Sequence, residues 1–168
     1  MLAITHLAVS LLLIQLLSLD RNDSFVALMF GVVIDVDHLF GLNSYAKANG
    51  IASIFDFDSL MNADGQWKSL LHNPVSVMIV GPISVASRIA IPLIFWGVHI
   101  SMDWLEDSLL GLLSAPELIL VVCASGAVLW MRYSFFRSLN SGASFRRYIA
   151  SEWRALRRSA PEQRSMST

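Results

Sequence analysis

The sequence predicts an all-α fold: a polytopic membrane bundle of about five transmembrane helices in residues 1–133, followed by a basic tail with an amphipathic helix in residues 134–168. Three observations support this prediction. Of the 168 residues, 55% are hydrophobic and only 15% are charged, and the mean hydropathy is +0.57. Apolar runs close to the length of a membrane span recur along the chain. Eight of the twelve basic residues follow residue 131, so the positive charge is concentrated at the C-terminal end.

The first two predicted spans lie at the N-terminal end. Residues 2–19 are apolar and lack the basic flank and small-residue cleavage site of a signal peptide, so we expect a retained helix. Residues 25–42 form the second span. The more polar residues 43–69 then predict a loop with room for one short helix.

Three further spans are predicted after that loop. Asn73 followed by Pro74 fits the N-cap and first position of the third helix, so His72 is expected just outside its start. Residues 89–104 form the fourth span and residues 116–133 the fifth.

The C-terminal tail has a helical pattern of its own. Apolar residues recur at helical spacing, while the arginines fall mostly on the rest of the helix surface. The pattern predicts an amphipathic helix on the anionic cytoplasmic face of a membrane, and a disordered basic tail is the alternative. The apolar set is Phe145, Tyr148, Ile149, Trp153 and Leu156.

The distribution of lysine and arginine predicts the orientation. The arginine-rich tail places the C-terminus in the cytoplasm of a multi-pass protein of the cell membrane. Counting back through five spans places Arg21 and Arg88 on the same side, with the N-terminus and the 43–69 loop outside. Lys47 and Lys68 in that loop oppose the rule, but the tail outweighs them.

Every histidine and three aspartates fall at the outer membrane face in this topology. Asp35 and His38 are three residues apart, and His99 and Asp103 are four apart, so each pair shares a face of a regular helix. A carboxylate within a span costs roughly 2.5–3.5 kcal/mol, so such residues are usually functional. Imidazole and carboxylate groups together suit Zn, Mn or Fe, and more than four of them leave room for two ions. The set is His6, Asp35, Asp37, His38, His72, His99 and Asp103.

Four segments resemble, in order and spacing, the YdjM-like family of membrane-bound predicted metal-dependent hydrolases. They are "THLAVS", "IDVDH", "WKSLLHN" and "GVHISMDWL", within residues 3–107. The family pattern has an N-terminal His, an Asp-x-Asp-His motif, a motif with two His, and a late His-x-x-x-Asp. The resemblance implies that the second motif is Asp35, Asp37 and His38, that the third retains His72 with Trp67 in place of its first His, and that the last is His99 and Asp103.

The resemblance and the clustered residues together predict a membrane-embedded metal-dependent hydrolase with one or two divalent ions, Zn, Mn, Fe or Mg. The expected metal ligands are Asp35, His38, His99 and Asp103. The expected catalytic residues are His6, Asp37 and His72, with His6 and His72 as ligands of a second ion or proton-transfer groups. Asp37 reaches the site only if its helix unwinds, because it lies on another face than Asp35.

A site at the level of the lipid headgroups indicates the bilayer as a partner and a lipid-linked phosphoester as the substrate. A metal or proton transporter is one alternative, since His and Asp within spans also build ion pathways. A non-catalytic membrane protein with a structural metal is another, and Trp67 in place of a family His favours it. The sequence has no basic and aromatic face for nucleic acid, and it leaves the oligomeric state open.

Overall fold

A computed structural model describes residues 3–56, 70–72, 74–87, 90–110 and 114–159. The predicted all-α class is confirmed, because these residues form helices and no strand. Their α-helices are α1 Ala3–Leu16, α2 Arg21–Gly31, α3 His38–Asn49, α4 Val77–Ser87, α5 Ile91–Leu105, α6 Ala115–Leu139 and α7 Phe145–Ser159. Short 3-10 helices lie at Val33–Asp37, Ile51–Phe55, Leu70–His72 and Pro74–Ser76, and α5 continues into a π-helical turn at Glu106–Leu110.

The predicted second span is not one regular helix. Asp20 caps α2 by accepting a hydrogen bond from the Asp23 N–H at 2.9 Å, and α2 ends at Gly31. A 3-10 helix follows Val32, and the chain bends by 40° between α2 and the helical segment that continues to Asn49. Asp35 therefore lies in the 3-10 helix, and the α-helical face that was expected to contain it is not formed. In the predicted 43–69 loop, for which one short helix was allowed, residues 43–49 continue α3 and Ile51–Phe55 form a 3-10 helix.

The third predicted helix starts later than its sequence signal. Pro74 begins a 3-10 helix that ends at Ser76, and the regular helix α4 begins at Val77. His72 lies outside the start of α4, as predicted, but within the short 3-10 helix Leu70–His72. Pro92 lies at the first turn of α5, where its missing N–H is not needed by the helix.

The unit Met1–Ser125 buries polar side chains and exposes large apolar ones. In α1, Thr5 and His6 are almost completely buried, whereas Ile4 is 58% exposed and Leu16 57% exposed. In α6, Glu117 is completely buried while Val122 is 70% exposed. A water-soluble protein shows the opposite arrangement. This arrangement suits helices whose outer surface contacts lipid and whose polar groups face one another.

One helix in the described part of the chain, α6, is by itself long and apolar enough to cross a membrane. Its 25 residues correspond to about 37 Å at 1.5 Å per residue. Taking α2 with the bent segment Val33–Asn49 as one span gives a second candidate, and α1, α4 and α5 are apolar but shorter. The five-span bundle therefore remains a prediction.

Two small apolar clusters hold the helices around the polar interior. Ala27 of α2 packs with Ile91 and Phe95 of α5. The second cluster joins Ile34, Val80 and Trp96, which come from the 3-10 helix after α2, from α4 and from α5. These contacts fix α5 against α2, the 3-10 helix that follows α2, and α4.

The unit Gly126–Thr168 joins α7 to the C-terminal part of α6. The Tyr133 hydroxyl donates to the Ala143 carbonyl at 3.2 Å, and Arg132 pairs with Glu152 at 3.1 Å. The Tyr148 ring is 3% exposed and packs against Tyr133 and Phe136. Burial raises the pKa of the Tyr148 phenol, and the Glu152 carboxylate adds to the rise.

Candidate metal centre

Five titratable side chains from distant parts of the sequence meet inside the unit Met1–Ser125. α1 supplies one, the 3-10 helices before and after the 43–69 region supply one each, and α5 supplies two. The imidazoles are 0–1% exposed, and the carboxylate side chains are 12% and 22% exposed. The five are His6, Asp35, His72, His99 and Asp103.

Their donor atoms lie at the spacing of ligands around one ion. The Nε2 atom of His99 is 3.0 Å from His72 Nε2, 3.1 Å from Asp35 Oδ1 and 3.3 Å from Asp103 Oδ2. The His72 Nε2 atom is also 3.3 Å from Asp35 Oδ1 and 3.5 Å from Asp103 Oδ2. Ligand atoms at 2.0–2.1 Å from one ion in a tetrahedral arrangement lie about 3.3 Å apart. Five edges of such a tetrahedron are therefore present.

Hydrogen bonding alone does not explain this convergence. An imidazole nitrogen has one proton or one lone pair, yet each of the two Nε2 atoms has three polar neighbours within 3.5 Å. A single cation among four donors satisfies all of them at once. The two carboxylates would balance the charge of one divalent ion, so these His/Asp groups can hold a metal ion.

The orientation of His99 is fixed by the backbone of α2. Its Nδ1–H donates to the Gly31 carbonyl at 3.0 Å, which directs the Nε2 lone pair toward the other donors. Such a hydrogen bond from the second ring nitrogen is the usual support of a metal-binding histidine. The backbone just before His72 is held as well, because the Trp96 indole N–H donates to the Leu71 carbonyl at 3.0 Å.

His6 lies beside this tetrahedron. Its ring stacks on that of His99, with centroids 3.8 Å apart and planes 19° apart. Its Nε2 atom is 3.0 Å from Oδ1 of Asp103, the carboxylate oxygen that does not face His72 and His99. His6 also forms, with Asp35 and His99, a group whose donor atoms lie within 4.8 Å of one another. His6 can therefore hold Asp103 in place or add a fifth ligand.

His99 belongs to both groups of three donors found among the described residues. One group is His6, Asp35 and His99, and the other is His72, His99 and Asp103. Since its Nδ1–H is used by the Gly31 carbonyl, His99 offers one lone pair. Through that lone pair, His99 can bind an ion with one group or with the other, and not with both at once.

The structure brings together five of the seven residues predicted from the sequence. His72 was predicted to be catalytic, but its Nε2 atom lies at ligand distance from both carboxylates, as that of His99 does. The side chains of Asp37 and His38, for which roles were predicted, lie outside the described part of the structure. Trp67 lies outside it entirely.

Sequence reasoning missed a buried acidic residue next to the site. Glu117 is completely buried, and its Oε1 accepts a hydrogen bond from the Thr5 hydroxyl at 2.8 Å. The segment Ser114-Ala-Pro-Glu117 has the spacing of a capping box, and the Glu117 N–H donates to Ser114 Oγ at 3.3 Å. A helix-capping role therefore accounts for a glutamate at position 117 without any contact to another helix. Its contact with Thr5 ties α6 to the turn of α1 that contains His6.

Removing the Thr5 hydroxyl should therefore destabilise the protein and weaken its metal binding. Thr5→Val keeps the shape and leaves the buried Glu117 without this donor, so we expect a loss of about 1–3 kcal/mol in unfolding free energy. Metal affinity should also fall, because His6 is the next residue. Thermal unfolding in detergent and equilibrium dialysis with Zn²⁺ measure the two effects. Thr5→Ser retains the hydroxyl and should behave like the wild type; equal stability of all three proteins would contradict the prediction.

Comparison with known proteins gives no relative: no family model, no curated protein and no solved structure matches this chain.

Proposed function

We propose that this protein is a membrane-embedded metal-dependent hydrolase that acts on a lipid-linked phosphoester at the level of the headgroups. One observation supports the proposal most directly: buried histidines and aspartates converge at ligand spacing inside a bundle with an apolar exterior. The resemblance of four sequence segments to the YdjM-like hydrolases agrees with it.

The residues divide into holding and supporting roles. Asp35, His72, His99 and Asp103 would hold the ion, and His6 would position Asp103 or exchange a proton with a group bound beside it. Mixed imidazole and carboxylate ligands favour Zn, Mn or Fe over Mg, which prefers oxygen. When bound, the divalent cation would supply the Lewis acidity that phosphoester hydrolysis requires.

The accessible carboxylates leave a side from which a substrate could reach the ion. Four protein ligands are also the number typical of structural metal sites, so a catalytic role requires a further coordination position beside them. The histidines are buried, but the Asp35 side chain is 22% exposed and that of Asp103 is 12% exposed. A substrate would approach from the carboxylate side.

A lipid-linked substrate fits the surroundings of this open side. Trp104 follows Asp103 directly and is 64% exposed. Exposed tryptophans concentrate at the boundary between the hydrocarbon core and the headgroups. The apolar exterior of α1 and α5 would keep the site at the depth where the phosphate of a lipid lies.

Metal analysis and turnover on one preparation test the proposal. The purified protein should contain a transition metal, and it should release phosphate from phosphatidic acid or a polyprenyl phosphate in mixed micelles. Chelation should abolish release, and the metal should restore it. Bound metal without turnover would favour a structural ion, and metal flux into proteoliposomes without turnover would favour a transporter.

The proposed orientation gives a separate prediction. With the N-terminus outside and the C-terminus in the cytoplasm, a cysteine at Ser44 should react with an impermeant maleimide in intact cells, and a cysteine at Ser141 should not. Both positions are exposed, and replacing Cys123 by serine provides the background. Lysed cells should label at both positions. Labelling of Ser141 alone in intact cells would reverse the orientation.

A further inference from the structure

We propose that the exposed face of α7 docks on an anionic lipid surface. The proposal depends on α7 and the end of α6, and it is independent of the metal site and its chemistry.

An apolar strip runs along the outside of α7. Its members recur at intervals of three and four residues, so they share one face of the helix. Each is a large apolar side chain with about half or more of its surface exposed in the described part of the structure. They are Phe145 at 45% exposure, Ile149 at 45%, Trp153 at 57% and Leu156 at 64%.

Among the α7 side chains that the structure describes, four exposed arginines lie outside the strip. Arg146 and Arg157 border it along the Trp153 side, and Arg147 and Arg154 lie farther around the helix. The Arg157 guanidinium lies 5.2 Å from the centre of the Trp153 ring, and its charge is at the edge of the apolar strip. An aromatic and aliphatic strip bordered by arginines is the surface of a helix that lies in a headgroup layer.

The contacts of α7 with α6 decide which face remains available. The sequence groups Tyr148 with the apolar residues, but the structure buries its ring against Tyr133 and Phe136. The Arg132 and Glu152 pair, 3.1 Å apart, holds a neighbouring position on α7. These contacts attach α7 to the end of the helix that is long enough to cross a membrane. The strip is therefore presented close to the point where that helix would leave the bilayer.

Charge decides between the possible occupants. A second copy of α7 against the strip would bring the arginines of both copies together, and like charges oppose that pairing. A neutral lipid surface would leave the arginines without partners. Anionic headgroups would pair with them, and each arginine near such a surface contributes about 1 kcal/mol.

The test uses the full-length protein in lipid nanodiscs. An environment-sensitive fluorophore is attached to a single cysteine at Ile149 in the strip, in a Cys123→Ser background, and quenched by spin-labelled lipid. Quenching should be strong in discs that contain phosphatidylglycerol and weaker in discs of phosphatidylcholine alone. It should decrease on raising salt from about 0.1 to 1 M, because the Debye length falls from roughly 10 to 3 Å. Replacing Arg146 or Arg157, which border the strip, by Gln should lower the docked-to-free ratio about fivefold, and replacing Arg147 or Arg154, on the far side of the helix, should lower it less.

Matched positions make the result decisive. Ala150 is exposed on the arginine side of α7, so the same fluorophore there should be quenched much less than at Ile149. The salt titration compares one labelled protein with itself, so its result does not depend on an arginine substitution that could unfold α7. Equal quenching in both disc types, or at both positions, would overturn the proposal. Shielding of the Ile149 fluorophore that depends on two copies in one disc would assign the strip to a second copy and also overturn it.

Discussion

Asp103→Asn should remove most of the bound metal and, with it, phosphoester hydrolysis. The two carboxylate oxygens of Asp103 reach all three histidines of the site: Oδ1 is 3.0 Å from His6 Nε2, and Oδ2 is 3.3 Å from His99 and 3.5 Å from His72. Asparagine keeps the size but has one oxygen and no charge, so it cannot serve both sides. We expect metal affinity to fall by more than about 100-fold, because even partners outside the ligand set cost 10–100-fold. Equilibrium dialysis with Zn²⁺ and phosphate release measure the two losses.

A stability measurement separates lost ligation from lost folding. Metal at 100 times its dissociation constant should stabilise the wild type by about 2.7 kcal/mol, and Asp103→Asn should not gain this stability at the same concentration. Without metal, the variant also loses the hydrogen bonds of the Asp103 carboxylate to the histidines, so the gain in stability on adding metal is compared within each protein rather than between them. Asp23→Asn makes the same charge change in the first turn of α2 and should retain metal, stability and turnover. Full metal occupancy in Asp103→Asn would disprove the ligand assignment.

The all-α class and the convergence of five polar residues could be predicted from the sequence. His6, Asp35, His72, His99 and Asp103 lie in different parts of the chain, but they fall alternately near the beginning and the end of successive apolar segments. Antiparallel packing of such segments places these ends together whatever the details of the loops. For that reason, counting the apolar runs was enough to predict that the donors lie at one depth. The prediction did not need full-length spans, since the regular helices α1, α4 and α5 are shorter.

The local helix type at the site could not be read from the sequence. The run "GVVIDVDH" contains no proline and continues an apolar pattern, so a continuous helix was the natural prediction. The structure ends α2 at Gly31, where the carbonyl accepts the His99 Nδ1–H across 68 positions of the chain. Local propensity carries no information about such a partner. Glu117 was missed for the same reason, because its capping-box spacing is local and its contact with Thr5 is not.

Gly31→Ala should destabilise the protein and weaken metal binding together. A Cβ at position 31 would collide with the Ser10 hydroxyl of α1 and lie 3.1 Å from Cδ1 of Phe95 in α5. Both neighbours are buried, so the Ser10 hydroxyl has little room to rotate away and we expect α2 to move away from α1 and α5. Overpacking of this kind costs about 1–3 kcal/mol. The same movement separates the Gly31 carbonyl from His99, and loss of such a support lowers metal affinity about 10–100-fold. Thermal unfolding in detergent and Zn²⁺ dialysis measure both effects.

Two further variants attribute the effect to this contact. Gly97→Ala makes the same change two residues before His99, where nothing lies within 4 Å of the added Cβ. It should be neutral or stabilise by about 0.5–1 kcal/mol, because glycine is costly inside a helix. Ser10→Ala combined with Gly31→Ala removes the closest collision and leaves the contact with Phe95, so it should restore part of the stability and part of the metal affinity. If Gly31→Ala were as stable as Gly97→Ala, α2 would not pack against α1 at this point. The backbone support of His99 would then have to come from another group.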